Sequence, residues 1–516
     1  MRAMIRRLGP VLAAAGAMAS LPRLAHAAWV KAESDRFVVY GEDARSVRDY
    51  ATKLTIYDQV LRLLNPTATD RPAPQKVDVY LVRGHQALHR ILPSGGDTMV
   101  GFYSASPLAI FAVAETGDVG LGTDTTLFHE YAHHFMKENF PAAYPTWFVE
   151  GWAEYFSTVD IKSSGVTVGG YAANRVAWLK SGTWLPLADL LTKRPTEVTG
   201  PQAPLFYPEA WALVHYMQDS PDRGAQLDKA IQAIAGGADP VKAIETATGQ
   251  TLDDLTRHLR NYDRISELRI APARFDMAPK VEVSTLPASA DDLLLDNVRL
   301  AISTPDKRDD AFVASVRAHA AKHPGDRLAD LALARAEFIY GDVAAGEAIV
   351  NRRLAADPND VEVLRLAGQG QILAGRREPA TRLERFRAAR APLIKAYGLD
   401  KDDFRVLYQY ALSRSVEPNY PNDNDMNVLF AARSLAPAVE DISIMTGEAL
   451  IKRGRRDDAV KVLALVANDP HGGSAGVRAR ALIAGKTEAE ASRAADAADK
   501  PETSPAGPAK PDAPAR

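Results

Sequence analysis

The sequence predicts an α+β fold for the first half of the chain and an all-α repeat fold for the second, on three observations. Segments of strand-like alternation and of helical periodicity follow one another over residues 28–116. Two neighbouring helical segments, around 126–134 and 147–156, carry a concentration of histidine and glutamate. Beyond residue 290 the chain is rich in alanine and leucine, and a proline and a glycine each return after 34 residues.

Residues 1–27 read as an export signal. Arg2, Arg6 and Arg7 precede a short apolar stretch over 8–21, and Ala25-His26-Ala27 is a small-x-small cleavage site. Cleavage after Ala27 is expected, which predicts a periplasmic or secreted protein. The apolar stretch is shorter than a bilayer span and contains Pro10, and no other segment is apolar enough to cross a membrane. Arg6-Arg7 leaves twin-arginine export open beside the general route. With no cysteine there is no disulfide framework, no thiol for a lipid anchor, no thiolate metal ligand and no cysteine nucleophile.

From residue 28, two short strands over 29–32 and 36–40 lead into a helix over 44–64. A strand over 76–82, a helix over 85–92 and a strand over 107–113 follow. They form an α/β lobe, 28–116, ahead of a helical lobe, 117–272.

That second lobe opens on Thr126-Leu127-Phe128-His129-Glu130-Tyr131-Ala132-His133-His134. Residues four apart on a helix project from one face, so His129 and His133 can present ring nitrogens to a single zinc ion, with Glu130 beside them to hold a water. A catalytic zinc needs three protein ligands and an open fourth position. Pro141 and Pro145 stop and turn the chain, Thr146 is placed to cap a second helix, and Trp147-Phe148-Val149-Glu150-Gly151-Trp152-Ala153-Glu154-Tyr155-Phe156 brings Glu150 back 17 positions after His133. Glu154, one turn beyond Glu150, is the candidate carboxylate for a liganding histidine's other ring N–H. His134 points about 100° away from His133, which suits packing better than ligation.

This pair of segments resembles the gluzincin peptidases, in particular the bacterial peptidase-MA-like families with their W-x-x-E-G-x-A-E-Y helix. The resemblance covers about residues 29–270 and implies a zincin-like catalytic domain, a small mixed sheet plus active-site helices, with His129, His133 and Glu150 as zinc ligands and Glu130 as general base. The interval before Glu150 is slightly shorter than in better-known members, so a tighter connecting loop is expected. The resemblance also implies that the strand at 108–113 forms an edge that pairs with a peptide or protein substrate. Pro186 enters one further helix, and 205–217 reads as another; by the same resemblance Tyr207 is the candidate donor to a developing oxyanion, with His215 behind it. Packing roles compete for both residues.

Residues 273–290 read as a linker. Pro324 and Pro358, like Gly341 and Gly375, lie one tetratricopeptide period apart, so 291–485 resembles degenerate tetratricopeptide repeats interrupted by a long loop over 400–425. Such a surface binds a protein partner or serves as a scaffold against the first domain. The tail, 486–516, has no core-forming pattern and is expected to be disordered.

A chain of 516 residues is long enough for two or three domains, and a net charge of −3 argues against nucleic acid as a partner. The expected activity is an exported zinc-dependent metallopeptidase. The alternatives are a periplasmic repeat scaffold with a structural or degenerate zinc site, and metal-assisted hydrolysis of a non-peptide amide.

Overall fold

The computed structural model describes residues 28–68, 73–96, 99–116, 123–170, 172–181, 183–262, 265–303 and 309–498. The expected export signal and residues 499–516 of the expected tail lie outside the described residues.

The strands are β1 (Val30–Glu33), β2 (Phe37–Gly41), β3 (Val77–Arg83), β4 (Gly101–Ala105), β5 (Ile110–Thr116), β6 (Asp160–Lys162), β7 (Gly165–Val168), β8 (Leu268–Ile270) and β9 (Glu282–Thr285). Helices of the first half are α1 (Ala44–Leu64), α2 (Gly84–Ile91), α3 (Thr123–Asn139), α4 (Thr146–Ser157), α5 (Ala173–Ser181), α6 (Leu187–Thr192), α7 (Phe206–Gln218), α8 (Pro221–Ala235), α9 (Pro240–Thr248) and α10 (Leu252–Arg260). The second half contains α11 (Ser289–Ala301), α12 (Asp310–Ala320), α13 (Arg327–Ile339), α14 (Val343–Ala356), α15 (Val361–Arg377), α16 (Arg382–Ala388), α17 (Arg390–Leu399), α18 (Phe404–Arg414), α19 (Asp423–Leu435), α20 (Glu440–Lys452), α21 (Arg456–Ala467), α22 (Gly473–Ile483) and α23 (Glu488–Ala498).

A mixed sheet runs in the order β4-β5-β3-β2-β1-β9, and its middle strands β2, β3 and β5 are parallel. Parallel strands need cover on both faces, and their sequences supply it. Along β3, Val77, Val79 and Leu81 join a core with α1, α3 and α4, while Tyr80 and Val82 point to the opposite face and pack with α2 and α11. β5 repeats the pattern, with Ile110, Ala112 and Ala114 on the first face and Phe111 and Val113 on the second. Asp43 starts α1 by accepting the Ser46 N–H at 2.7 Å. Within the helical lobe, β6, β7 and β8 form a small antiparallel sheet.

Four expectations change. The linker, 273–290, is built into the first domain: β9 pairs with β1, setting Val283 opposite Ala32, and α11 lays Ala290, Leu294 and Val298 on the face that carries Tyr80 and Phe111. Burial of those aromatic rings supplies the drive, and the alternation over 281–283 was too short to announce it. The loop over 400–425 contains α18, whose Phe404 and Leu407 belong to the same continuous core as Phe128 and Trp147. Residues 488–498 of the expected tail are helical, because Ala491 and Ala495, one turn apart, are buried.

The strand at 108–113 is also not an edge. β5 is flanked by β3 and by β4, a strand the sequence did not announce, and β4 ends the sheet. Among the described residues no helix is long and apolar enough to cross a membrane.

Candidate metal centre

Helix α3 carries His129, Glu130 and His133, and α4 carries Glu150 and Glu154. The turn between them is short. Asn139 closes α3 by donating its side-chain amide to the Phe135 carbonyl at 2.9 Å, and Pro145, extended at φ −68° and ψ 143°, stands directly before α4. Thr146, expected as the cap, is the first helical residue, and its hydroxyl reaches the Asn468 carbonyl at 3.4 Å.

The close return of α4 depends on what lies behind it. A Cβ on Gly151 would fall 2.4 Å from the Ala210 carbonyl oxygen and 2.6 Å from Val214 Cγ2, so glycine is what lets α7 pack flush behind Glu150. Gly151→Ala is expected to destabilise the chain by about 1–3 kcal/mol, visible as a lower denaturation midpoint in urea.

His129 Nε2 and His133 Nε2 stand 3.0 Å apart, and Glu150 Oε2 lies 3.6 and 3.5 Å from them. Tetrahedral zinc with bonds near 2.1 Å sets its ligand atoms about 3.4 Å apart, which the two Glu150 spacings approach and the His129–His133 spacing undershoots, so the three side chains are placed where they could share one ion. Glu150 is 0 % exposed, and its oxygens face imidazoles: Oε2 lies toward His129 and His133, and Oε1 is within hydrogen-bond distance of His471. A carboxylate this deeply buried is costly unless a cation or charged hydrogen-bond donors meet it. Burial alone would push Glu150 up, but the neighbouring His471 and His133 rings hold it well below the usual carboxylate range. Burial, and then the adjacent His133, keep His129 well below the ordinary histidine range and therefore neutral, as ligation requires.

Glu130 is partly buried beside the pair, and its charge acts on His471, Tyr207 and Tyr103. Glu154 Oε1 lies 3.5 Å from His129 Nδ1, the ring nitrogen facing away from the ligand cluster, and the same carboxylate is held by both arms of the Arg175 guanidinium, Nε at 2.8 Å from Oε2 and Nη2 on Oε1. Arg175 also lies over the ring of Tyr207, 5.8 Å from its centroid. Burial, then the charges of Glu150 and Glu154, push the Tyr207 hydroxyl above its ordinary range, so it stays protonated and able to donate.

The remaining histidines of these helices are satisfied elsewhere. His134 is buried, with Nδ1 2.7 Å from the Tyr103 hydroxyl and Nε2 3.1 Å from Glu138. His215 has Nε2 2.8 Å from the Gly169 carbonyl, which can only accept, and Nδ1 2.8 Å from the Tyr262 hydroxyl. Both nitrogens are engaged in packing α7 against the β7 end, away from the ligand cluster.

On the same helix, Glu209 is buried and accepts the Leu185 N–H at 2.7 Å. Burial pushes its carboxyl up to about 8 from an ordinary 4.5. Between those pH values the unfolded chain has released a proton that the folded chain retains, so folding stability falls as pH rises from 4.5 towards 8 and levels off above it. Glu209→Gln keeps an acceptor for Leu185 and removes this dependence. Thermal melts at pH 5 and pH 8 should show a smaller pH-driven loss in the variant than in the native chain.

Two residues of the site had not been expected. Arg175 lies 21 positions beyond Glu154 in a segment with no distinctive spacing. His471 comes from the loop between α21 and α22, and its Nε2 lies 2.9 Å from Glu150 Oε1. With His129, His133 and Glu150 it completes a set whose ligand atoms all fall within 4.8 Å of one another. No local pattern could have linked position 471 to position 150; a histidine in a proline- and glycine-rich loop was the sole hint.

No protein-family model matches the sequence, and no curated protein does. One similar solved structure is the crystal structure of TTC0263, a thermophilic TPR protein of Thermus thermophilus, at 18% identity and a TM-score of 0.32, covering 38% of this chain and 98% of that one. The site stands on its own geometry.

Proposed function

We propose that this chain is a zinc-dependent peptidase of the gluzincin type, with helical repeats of tetratricopeptide-like character packed against its catalytic half. The observation that carries the reading is the convergence of His129, His133 and the fully buried carboxylate of Glu150, with Glu130 next to His129 on the same helix. The donor set, two imidazoles and one carboxylate, is one that suits catalytic zinc.

When bound, zinc supplies a positive charge that polarises a carbonyl and lowers the pKa of water from about 15.7 towards about 7. Glu130 takes a proton from water as the water oxygen bonds to the peptide carbon, and returns it to the nitrogen as the C–N bond breaks; the acid proton of the new carboxyl then passes to the amine, leaving a carboxylate and an ammonium. The Tyr207 hydroxyl donates to the carbonyl oxygen as charge grows there. Glu154, fixed by Arg175, orients the His129 ring through Nδ1. An extended substrate would lie along the free side of β4, whose outward N–H and C=O groups have no partner strand among the described residues.

The test is one zinc per chain, together with hydrolysis of casein that stops on chelation and returns with zinc. A folded chain that takes up no zinc overturns the reading. The scaffold alternative has one observation in its favour, since four protein ligands are typical of structural zinc. Against it stand Glu130 and the Tyr207–Arg175–Glu154 arrangement, which a structural site has no use for.

A further inference from the structure

Four features of the 468–471 loop point the same way. Asn468 is tied to the turn between the two ligand-bearing helices: its side-chain amide donates to the Ala143 carbonyl at 3.3 Å, and its carbonyl accepts from Thr146. Asp469 is buried and divided between two tasks. One oxygen accepts the His471 backbone N–H at 2.9 Å, and the other pairs with Lys137. Lys137 lies one turn beyond His133 on the face of α3 that presents the ligands, and its ammonium is also 3.6 Å from Glu440 at the start of α20. His471 stacks edge-on against His133, with ring centroids 5.1 Å apart, and aims Nε2 at the ligand cluster.

We infer that His471 is a fourth protein ligand to the same ion, carried by the C-terminal helical repeats, and that it fills the position a hydrolytic water needs, so that this conformation is a closed, latent one. The inference rests on the peptidase reading for its functional meaning, but its coordination claim stands apart from it. A tetrahedral ion with three imidazoles and one carboxylate has no corner left for solvent. Apart from backbone bonds to α21, the loop is tied by Asn468 to the α3–α4 turn and by Asp469 to Lys137, so releasing those contacts would withdraw the ligand while α20, whose Ile442 is buried in the core of the first domain, stays in place. His471 is the right group for a removable ligand. Its side chain is 48 % exposed, whereas His133 is 4 % and Glu150 0 % exposed, so solvent or a competing carbonyl reaches it first.

The experiment uses the full chain loaded with zinc, native and His471→Ala, read by X-ray absorption for the number of bound imidazoles, by chelator competition for affinity, and by casein hydrolysis. The expected result is three imidazoles in the native chain and two plus a solvent oxygen in the variant. Zinc affinity should fall by at least about tenfold, while hydrolysis rises by about tenfold or more. Two imidazoles in the native chain overturn the inference, and that measurement needs no variant. Three imidazoles with lower hydrolysis in a folded His471→Ala chain overturn the latency and give His471 a role in turnover. Three imidazoles in the native chain, two in the variant and no hydrolysis by either support the coordination while overturning the peptidase reading.

Discussion

Glu130→Gln should leave zinc bound and reduce peptide hydrolysis by roughly a hundred- to ten-thousandfold, the range for loss of a positioned general base. The amide has nearly the shape of the carboxylate but cannot take a proton at neutral pH. Glu130 is not among the ligand atoms that converge with His129, His133 and Glu150, so removing its charge leaves the metal's donors in place. Metal content by mass spectrometry and turnover of casein, measured on one preparation, separate the two roles. A Glu130→Gln chain that hydrolyses at the native rate would remove Glu130 from the mechanism, whatever the zinc content.

His133→Ala should act on the opposite quantity. His133 is buried and central: Nε2 is 3.0 Å from His129 Nε2 and 3.5 Å from Glu150, and its ring backs His471. Its loss removes one donor atom and leaves Glu150 buried with one fewer partner, and zinc affinity is expected to fall by more than about a hundredfold. Because a ligand that binds only the folded state stabilises it in proportion to RT ln(1 + [L]/Kd), the native chain should melt at a higher temperature with zinc than with chelator. That difference should vanish in the variant. A zinc-dependent rise in Tm that survives His133→Ala would mean the ion sits elsewhere.

These two substitutions fall on residues whose placement was legible in the sequence, and the reason is the helix itself. Four-residue spacing puts His129 and His133 on one face whatever the rest of the chain does, and the proline-bounded turn leaves α4 little choice but to return beside α3. The β3 and β5 patterns were equally local, with alternating apolar residues whose period of two marks strands. β4, by contrast, is Gly-Phe-Tyr-Ser-Ala, short and partly exposed, and it becomes a strand because β5 offers it a free edge. The linker and the 400–425 segment were misread for a related reason. The linker has few apolar residues in any window, and the apolar residues over 404–412 form one short helix; both gain meaning only against the far face of the sheet and the core around Phe128.

Local spacing thus determined the paired imidazoles, the returning carboxylate of Glu150 and the alternation of strands and helices, since each depends on residues within a few turns of one another. Tertiary packing alone decided that Arg175 clamps Glu154, that Gly151 admits α7, and that His471 reaches Glu150 across more than 300 positions. Those contacts are made by burying distant surfaces together, and no periodicity of a single segment encodes which distant surface it will meet.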